Sequence, residues 1–304
     1  MRKAFSDALV KAALADERIV LLTGDHGYSL FDEFRKHCPK QYINAGIAEQ
    51  NMVGVAAGLA KAGFRPIVYG LSAFVPIRVL EQIKLDVCYE SLPVIFIGDG
   101  AGVVYSSLGS SHQSTEDIAV LRPLPDIAIL SPADSHEITQ CMRLAFDAKY
   151  PIYVRMGKAD LGPVHEAATP MEWGKLCQVK TGYGKIAFIA TGSMVRAALE
   201  VAKNWLDSPV WSVPFIKPLD TEKLVSLCQH YQALVVLEEH SIYGGLGSAV
   251  AEIAGTYAPT RVLRIGVQDR FSHYCGSYSY LLQEHQLSCE AIFNQVSEYL
   301  NNAP

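Results

Sequence analysis

Residues 44–70 read NAGIAEQNMVGVAAGLAKAGFRPIVYG, and two periods meet inside them. Over residues 48–62 apolar side chains recur at helical spacing. At Arg65 the pattern changes to a short run, RPIVYG, that closes on glycine. A helix feeding straight into a buried strand is one half of a strand–helix–strand unit. The same alternation continues on both sides. RIVLLTG, LPVIFIGDG, DIAIL and PIYVRMG are further buried-strand runs, and Arg2–Ala15, 74–89 and 136–148 supply helices between them. Continuous apolar strands alternating with helices predict an α/β fold with a parallel sheet covered on both faces.

That first domain is expected over residues 1–157. Residues 158–183 carry no clear period and read as a connecting arm. From residue 184 the alternation resumes with KIAFIAT, a helix over about 194–206, SPVWSVPF, a helix around 220–230, and QALVVLEE. A glycine-rich helix start, YGGLGSAVAEIAG, then precedes the strand RVLRIG. Residues 184–304 therefore read as a second, smaller α/β domain. A 304-residue chain suits two domains of roughly 100–150 residues each.

Composition narrows the partners. Half of the residues are hydrophobic and 19% are charged, enough to fill sizeable cores. A net charge of -5 and a pI near 6.0 give no basis for binding nucleic acid or an anionic membrane. No segment approaches the ~18 apolar residues of a membrane span. The first residues lack a signal-peptide core. Cysteines 38, 88, 141, 177, 228, 275 and 289 are scattered, without a C-x-x-C pair. That usage fits reduced thiols, and a cytoplasmic location is expected.

Glu49 is the one acid in the opening stretch, and it stands where the run turns helical. A first-turn acid can simply complement the helix dipole, worth ~0.3–1 kcal/mol when exposed. The residues after it leave little polar face, so this helix is expected to be buried nearly all round. A carboxylate taken out of water needs a partner or a chemical task. Gly98–Gly102, GDGAG, follows a strand but lacks the G-K-[ST] of a phosphate loop, and reads as a tight turn. His112 lies in the polar loop beyond it, at the carboxyl end of a strand, where open α/β sheets bind ligands. Arg155 ends another strand and is expected to face the same crevice, as an anion anchor or the partner of an acid. Arg78 and Gln82 share a helix face and either line the site or brace it. Glu239 and His240, ahead of the glycine-rich helix, read as packing or a subunit contact. No histidines show metal-ligand spacing, and neither Cys38 nor Cys88 is read as a nucleophile.

Taken in order, these segments resemble the transketolase and 1-deoxyxylulose-5-phosphate synthase group of thiamine-diphosphate enzymes. GIAEQNMVGVAAGLAKAGFRPIV resembles the start of their pyrimidine-binding domain, LSAF their S-T-F segment, and LGSSHQ their D-G-P-T-H-Q loop. VVLEEHSIYGGLGSAV resembles the opposing segment of their C-terminal domain. The resemblance covers essentially the whole chain. It implies a thiamine pyrimidine-binding domain followed by a transketolase C-terminal domain, with Glu49 holding a proton against N1′ of the aminopyrimidine. Phe74 would pack on that ring, His112 would relay protons to substrate oxygens, and Arg155, with Arg78, would bind the substrate. The reaction implied is transfer of a two-carbon ketol unit from a ketose to an aldose, on sugar or sugar-phosphate substrates.

Larger transketolases carry, ahead of this region, a diphosphate-binding domain with G-D-G and a following metal-binding asparagine. Here the one G-D-G is Gly98-Asp99-Gly100, inside the pyrimidine-domain pattern, and no asparagine follows before Asn204. The resemblance therefore implies a split enzyme. A separate N-terminal transketolase subunit would hold the diphosphate and Mg²⁺ (or Ca²⁺), within an α2β2 heterotetramer that has a β–β contact. The loop departs from the family pattern at Leu108, where an acid would read a sugar hydroxyl. Ile77 stands where a second aromatic is usual. Two alternatives stay open: the β subunit of a 2-oxoacid dehydrogenase E1 component, and a non-catalytic partner chain that retains the fold.

Overall fold

Strand Ile19–Thr23 (β1) is apolar at every position but its last, and both of its faces are buried. The computed structural model describes residues 1–157, 161–165, 170–205 and 208–302. Helix α1 (Arg2–Ala15) precedes β1, and α2 (Asp32–His37) and β2 (Tyr42–Asn44) follow it. The quoted stretch is α3 (Glu49–Lys61) running into β3 (Arg65–Leu71). Then come α4 (Leu80–Gln82), β4 (Ile95–Asp99), α5 (Asp117–Leu121), β5 (Ala128–Leu130), α6 (Ser135–Asp147) and β6 (Ile152–Met156). Beyond them lie β7 (Cys177–Lys180), β8 (Ile186–Ala190), α7 (Met194–Val201), β9 (Val210–Ser212) and β10 (Phe215–Lys217). The chain ends with α8 (Thr221–His230), β11 (Ala233–Ser241), α9 (Leu246–Tyr257), β12 (Arg261–Val267), α10 (Tyr278–Glu284) and α11 (Cys289–Asn301).

Two sheets result, with strand orders β10-β5-β6-β4-β3-β1-β2 and β12-β11-β8-β9-β7. Each is parallel except for one edge strand, β10 on β5 and β7 on β9. Those two edges correct the expected partition of the chain. β7 lies inside the stretch expected to be only a connector, yet it pairs with the second sheet. SPVWSVPF is not one strand, because Pro214 has no N–H to donate and the run breaks into β9 and β10 on different sheets. The expected helix over 194–206 ends as regular α-helix at Val201 and tightens into a 3₁₀ turn at Ala202–Asn204; Leu206 lies outside the described residues.

One buried cluster runs through both domains, joining Val20, Met52 and Phe96 to Trp211, Leu224 and Val250. The opposite faces of the two sheets are covered by α1 with α6 and by α7 with α11. The two halves therefore share a core. All seven cysteines are free, and burial pushes Cys88 up to about 11, away from a reactive thiolate. Among the described residues, no helix is long and apolar enough to cross a membrane.

The helix expected over 74–89 is irregular. Pro76 offers no N–H, and the segment opens with a 3₁₀ turn at Ile77–Val79, continues as α4, and widens into a π turn at Ile83–Cys88. Nor is α3 buried all round. Met52, Val53, Ala56, Ala57 and Ala60 face the core, but Gln50, Asn51, Gly54, Val55 and Gly58 are exposed. Nothing lies within 4 Å of where a side chain on Gly54 or Gly58 would begin. Small residues had made that face look apolar without being covered.

Candidate functional site at the reversal of strand order

The chain leaves β1 for β2 on one side, then returns to β3 on the other side of β1. Open α/β sheets bind ligands outside the carboxyl ends of strands that part in this way. A cavity of about 360 Å³ lies there, lined by residues following β1 (Gly24, Asp25, His26), preceding and opening α3 (Gly46, Ile47, Glu49), and ending or following β3 (Leu71, Phe74, Arg78).

Glu49 is the first residue of α3 and is 7% exposed. Its Oε1 accepts a hydrogen bond from Arg78 Nη1 at 3.0 Å. The Arg78 guanidinium also lies over the Phe74 ring, 4.3 Å from its centroid. Phe74 in turn meets His112 edge-on, with ring centroids 5.4 Å apart. Glu49, Arg78, Phe74 and His112 thus form one unbroken line of contacts, drawn from three separate segments. Arg78 lines the site, one of the two places left open for it. His112 closes a short turn, Ser110–His112, and its Nδ1 is 3.0 Å from Ser111 Oγ. Leu108 projects from the same loop and is half exposed.

Arg155 is not in this line. The expectation that it faces the crevice is corrected, for it lies 4% exposed between the domains. Its Nε donates to both carboxylate oxygens of Asp117, at 3.1 and 2.9 Å, and its Nη2 to the carbonyls of Ser114 and Glu239. Tyr153 donates to the same carboxylate at 2.7 Å. β6 delivers Tyr153 and Arg155 to one face, two residues apart. Gly98 on neighbouring β4 makes room for them, since a side chain there would start 2.3 Å from the Tyr153 hydroxyl. With those donors engaged inward, Arg155 is a structural ion pair.

His26 carries a signal the sequence reading passed over: a histidine directly after the first strand, in TGDHG. Its ring fills the space above Gly24, and its Nε2 is buried without a hydrogen-bond partner. Burial holds it toward neutral imidazole.

The second domain supplies three consecutive buried polar residues. Burial pushes Glu238 up to about 7, although the amides of Leu246 and Gly247 at the start of α9 donate to it. Burial likewise lowers His240 to about 4, and its Nε2 accepts from the Ala119 amide at 3.3 Å. Glu239 and His240 are packing residues between the domains. Among the described residues, no group of three or more His, Cys, Asp or Glu side chains is placed to hold a metal ion.

Comparison with known proteins gives this site its family. The transketolase pyrimidine-binding domain matches residues 1–163, and the transketolase C-terminal domain matches residues 176–292. A transketolase subunit of Phocaeicola vulgatus, named for apulose-4-phosphate, is 34% identical over 290 residues, 90% of this chain and 92% of that one. A 6-deoxy-6-sulfo-D-fructose transketolase subunit of Clostridium is 32% identical, across 98% of this chain and 94% of the other. A 1-deoxy-D-xylulose-5-phosphate synthase of Histophilus somni is 33% identical over 97% of this chain, which spans 48% of that enzyme. A solved structure described as a split gene transketolase, inactive β4 tetramer, superposes with a TM-score of 0.88 at 33% identity, covering 99% of this chain and 97% of the other. Two domain matches in the family's order, with near-complete overlap on chains named as transketolase subunits, have one reading: this chain belongs to the transketolase family, as a C-terminal subunit of the split type.

Proposed function

We propose that the chain supplies the pyrimidine half of a thiamine-diphosphate site and, with a separate diphosphate-binding subunit, transfers a two-carbon ketol unit from a ketose to an aldose. The observation that carries the reading is the line Glu49–Arg78–Phe74–His112 at the reversal of strand order. The cavity suits an aminopyrimidine: a carboxyl group at the edge, an aromatic wall, exposed Ile47, and the unpartnered Nε2 of His26. When bound, the cofactor supplies the electron sink for carbon–carbon cleavage. Glu49 holds a proton at the ring nitrogen N1′, with its position fixed by the start of α3. Phe74 orients the ring by contact. Arg78, paired with Glu49 and lying over Phe74, would be the cation available to an anionic substrate group. His112 passes protons to and from substrate oxygens at the cavity mouth.

A separate subunit is supported by the uncovered face of α3. Gly54 and Gly58 let another backbone approach closely, Val55 lies between them, and Ile47 stands 83% exposed at the cavity rim. That subunit would hold the diphosphate and its Mg²⁺ or Ca²⁺, in an α2β2 assembly with a β–β contact. The related solved chain is described as an inactive tetramer of β chains, which accords with self-association and with dependence on a partner. Substrates outside the ordinary pentose phosphates accord with Leu108 and with relatives named for apulose-4-phosphate and a sulfonated fructose.

His112→Asn tests the reading. A proton relay acts as charge develops, so kcat of the reconstituted complex should fall ~10²-fold while KM changes little. Wild-type turnover from that variant would remove His112 from the chemistry.

A further inference from the structure

We infer that the C-terminal domain sets the conformation of the loop carrying His112, with Glu239 as the positioning residue. The inference rests on the reading of His112 just given. That loop leaves β4 at Asp99 and returns at α5, and its base is closed by Gly102 and Ser114, each donating to the other's carbonyl at 2.9 Å. Inside that closure, Tyr105 donates to Asp99 at 3.3 Å and His112 meets Phe74, and further ties come from the second domain.

Glu239 Oε1 accepts the Val103 amide at 2.7 Å. Oε2 accepts the Tyr278 hydroxyl at 2.6 Å and the Ser193 hydroxyl as well. The carboxylate is held by two hydroxyls of its own domain, and the loop amide is its third contact. The loop base is shaped around it: Gly102 has φ +76, and a side chain there would begin 2.2 Å from Oε1. This gives GDGAG its purpose, a close approach to a carboxylate of the other domain. Further along, the Gly276 amide donates to the Ser106 carbonyl and Ser272 Oγ to Gln113 Oε1, so His112 is flanked by ties on both sides. Surface loops are ordinarily the mobile parts of a domain, and a proton relay works only when held close to its productive geometry. The second domain removes that mobility from a loop it does not itself contain.

The experiment uses the full chain reconstituted with its partner subunit. In Glu239→Ala, amide hydrogen exchange over residues 103–114 should quicken about tenfold while the rest of the chain keeps its protection. kcat should fall with it and KM stay within about twofold, because binding groups on the first domain are untouched. Glu239→Gln, which keeps an acceptor for Val103, should restore part of both. If Glu239→Ala does not fold, Tyr278→Phe carries the same expectation at about threefold, having removed one support of the carboxylate. Wild-type exchange over 103–114 in these variants, or exchange that rises evenly over both domains, overturns the inference. Faster exchange with unchanged kcat upholds the positioning and sinks the role given to His112.

Discussion

Glu49→Gln in the reconstituted complex is expected to lower kcat by ~10²–10⁴-fold, the range of a lost general acid–base step. The amide keeps the shape of the side chain and can still accept from Arg78, so α3 should start where it does now. The ion pair it weakens is half exposed on the arginine side, and such pairs contribute only ~0–1 kcal/mol. Assembly and thermal midpoint should therefore match the wild type, checked by size exclusion and calorimetry. An amide cannot hold a mobile proton at a ring nitrogen, and that difference alone should appear in the rate. Turnover near wild type would mean that Glu49 serves only to hold Arg78 over Phe74.

Arg155→Met should act on stability. Removing one partner of a buried ion pair costs about 3–5 kcal/mol, because the other charge is left without compensation. Asp117 is fully buried, Tyr153 would be the donor left to it among the described residues, and the carbonyls of Ser114 and Glu239 would each lose a donor, Ser114 keeping the Gly102 amide. For a chain of this size the midpoint should fall on the order of 10 °C. Adding Asp117→Asn should recover part of the loss, since the two sites are coupled. An unchanged midpoint with a raised KM would restore Arg155 to the substrate side.

Arg155 also marks where sequence reasoning stops. PIYVRMG correctly placed it on a strand of the first sheet, and strand ends in α/β folds do gather ligands. Which face of the strand meets the second domain is not written in that run, and neither is Asp117, which lies in the unremarked segment TEDIAVL. The strands themselves were legible because buried parallel strands are continuous apolar runs bounded by glycine. Short or edge elements such as α2, β2 and β7 carry too few apolar residues to announce themselves. Glu49, Arg78 and His112 were readable as residues with unusual placements and Phe74 only through the resemblance of LSAF to the S-T-F segment, but their contacts depend on how three separate segments meet. The open face of α3 was misread because glycine and alanine fit a buried helix and an interface equally well. The tie from Glu239 to Val103 spans 136 positions, beyond any local pattern.

In the proposed function this chain holds half of a cofactor site whose other half lies on a second protein. Isothermal titration of thiamine diphosphate with Mg²⁺ into the isolated chain, and then into the chain with its natural partner, tests it most directly. The isolated chain should give no saturable heat, and binding should be tight and Mg²⁺-dependent once the partner is present. Tight Mg²⁺-dependent binding by the isolated chain would contradict that reading.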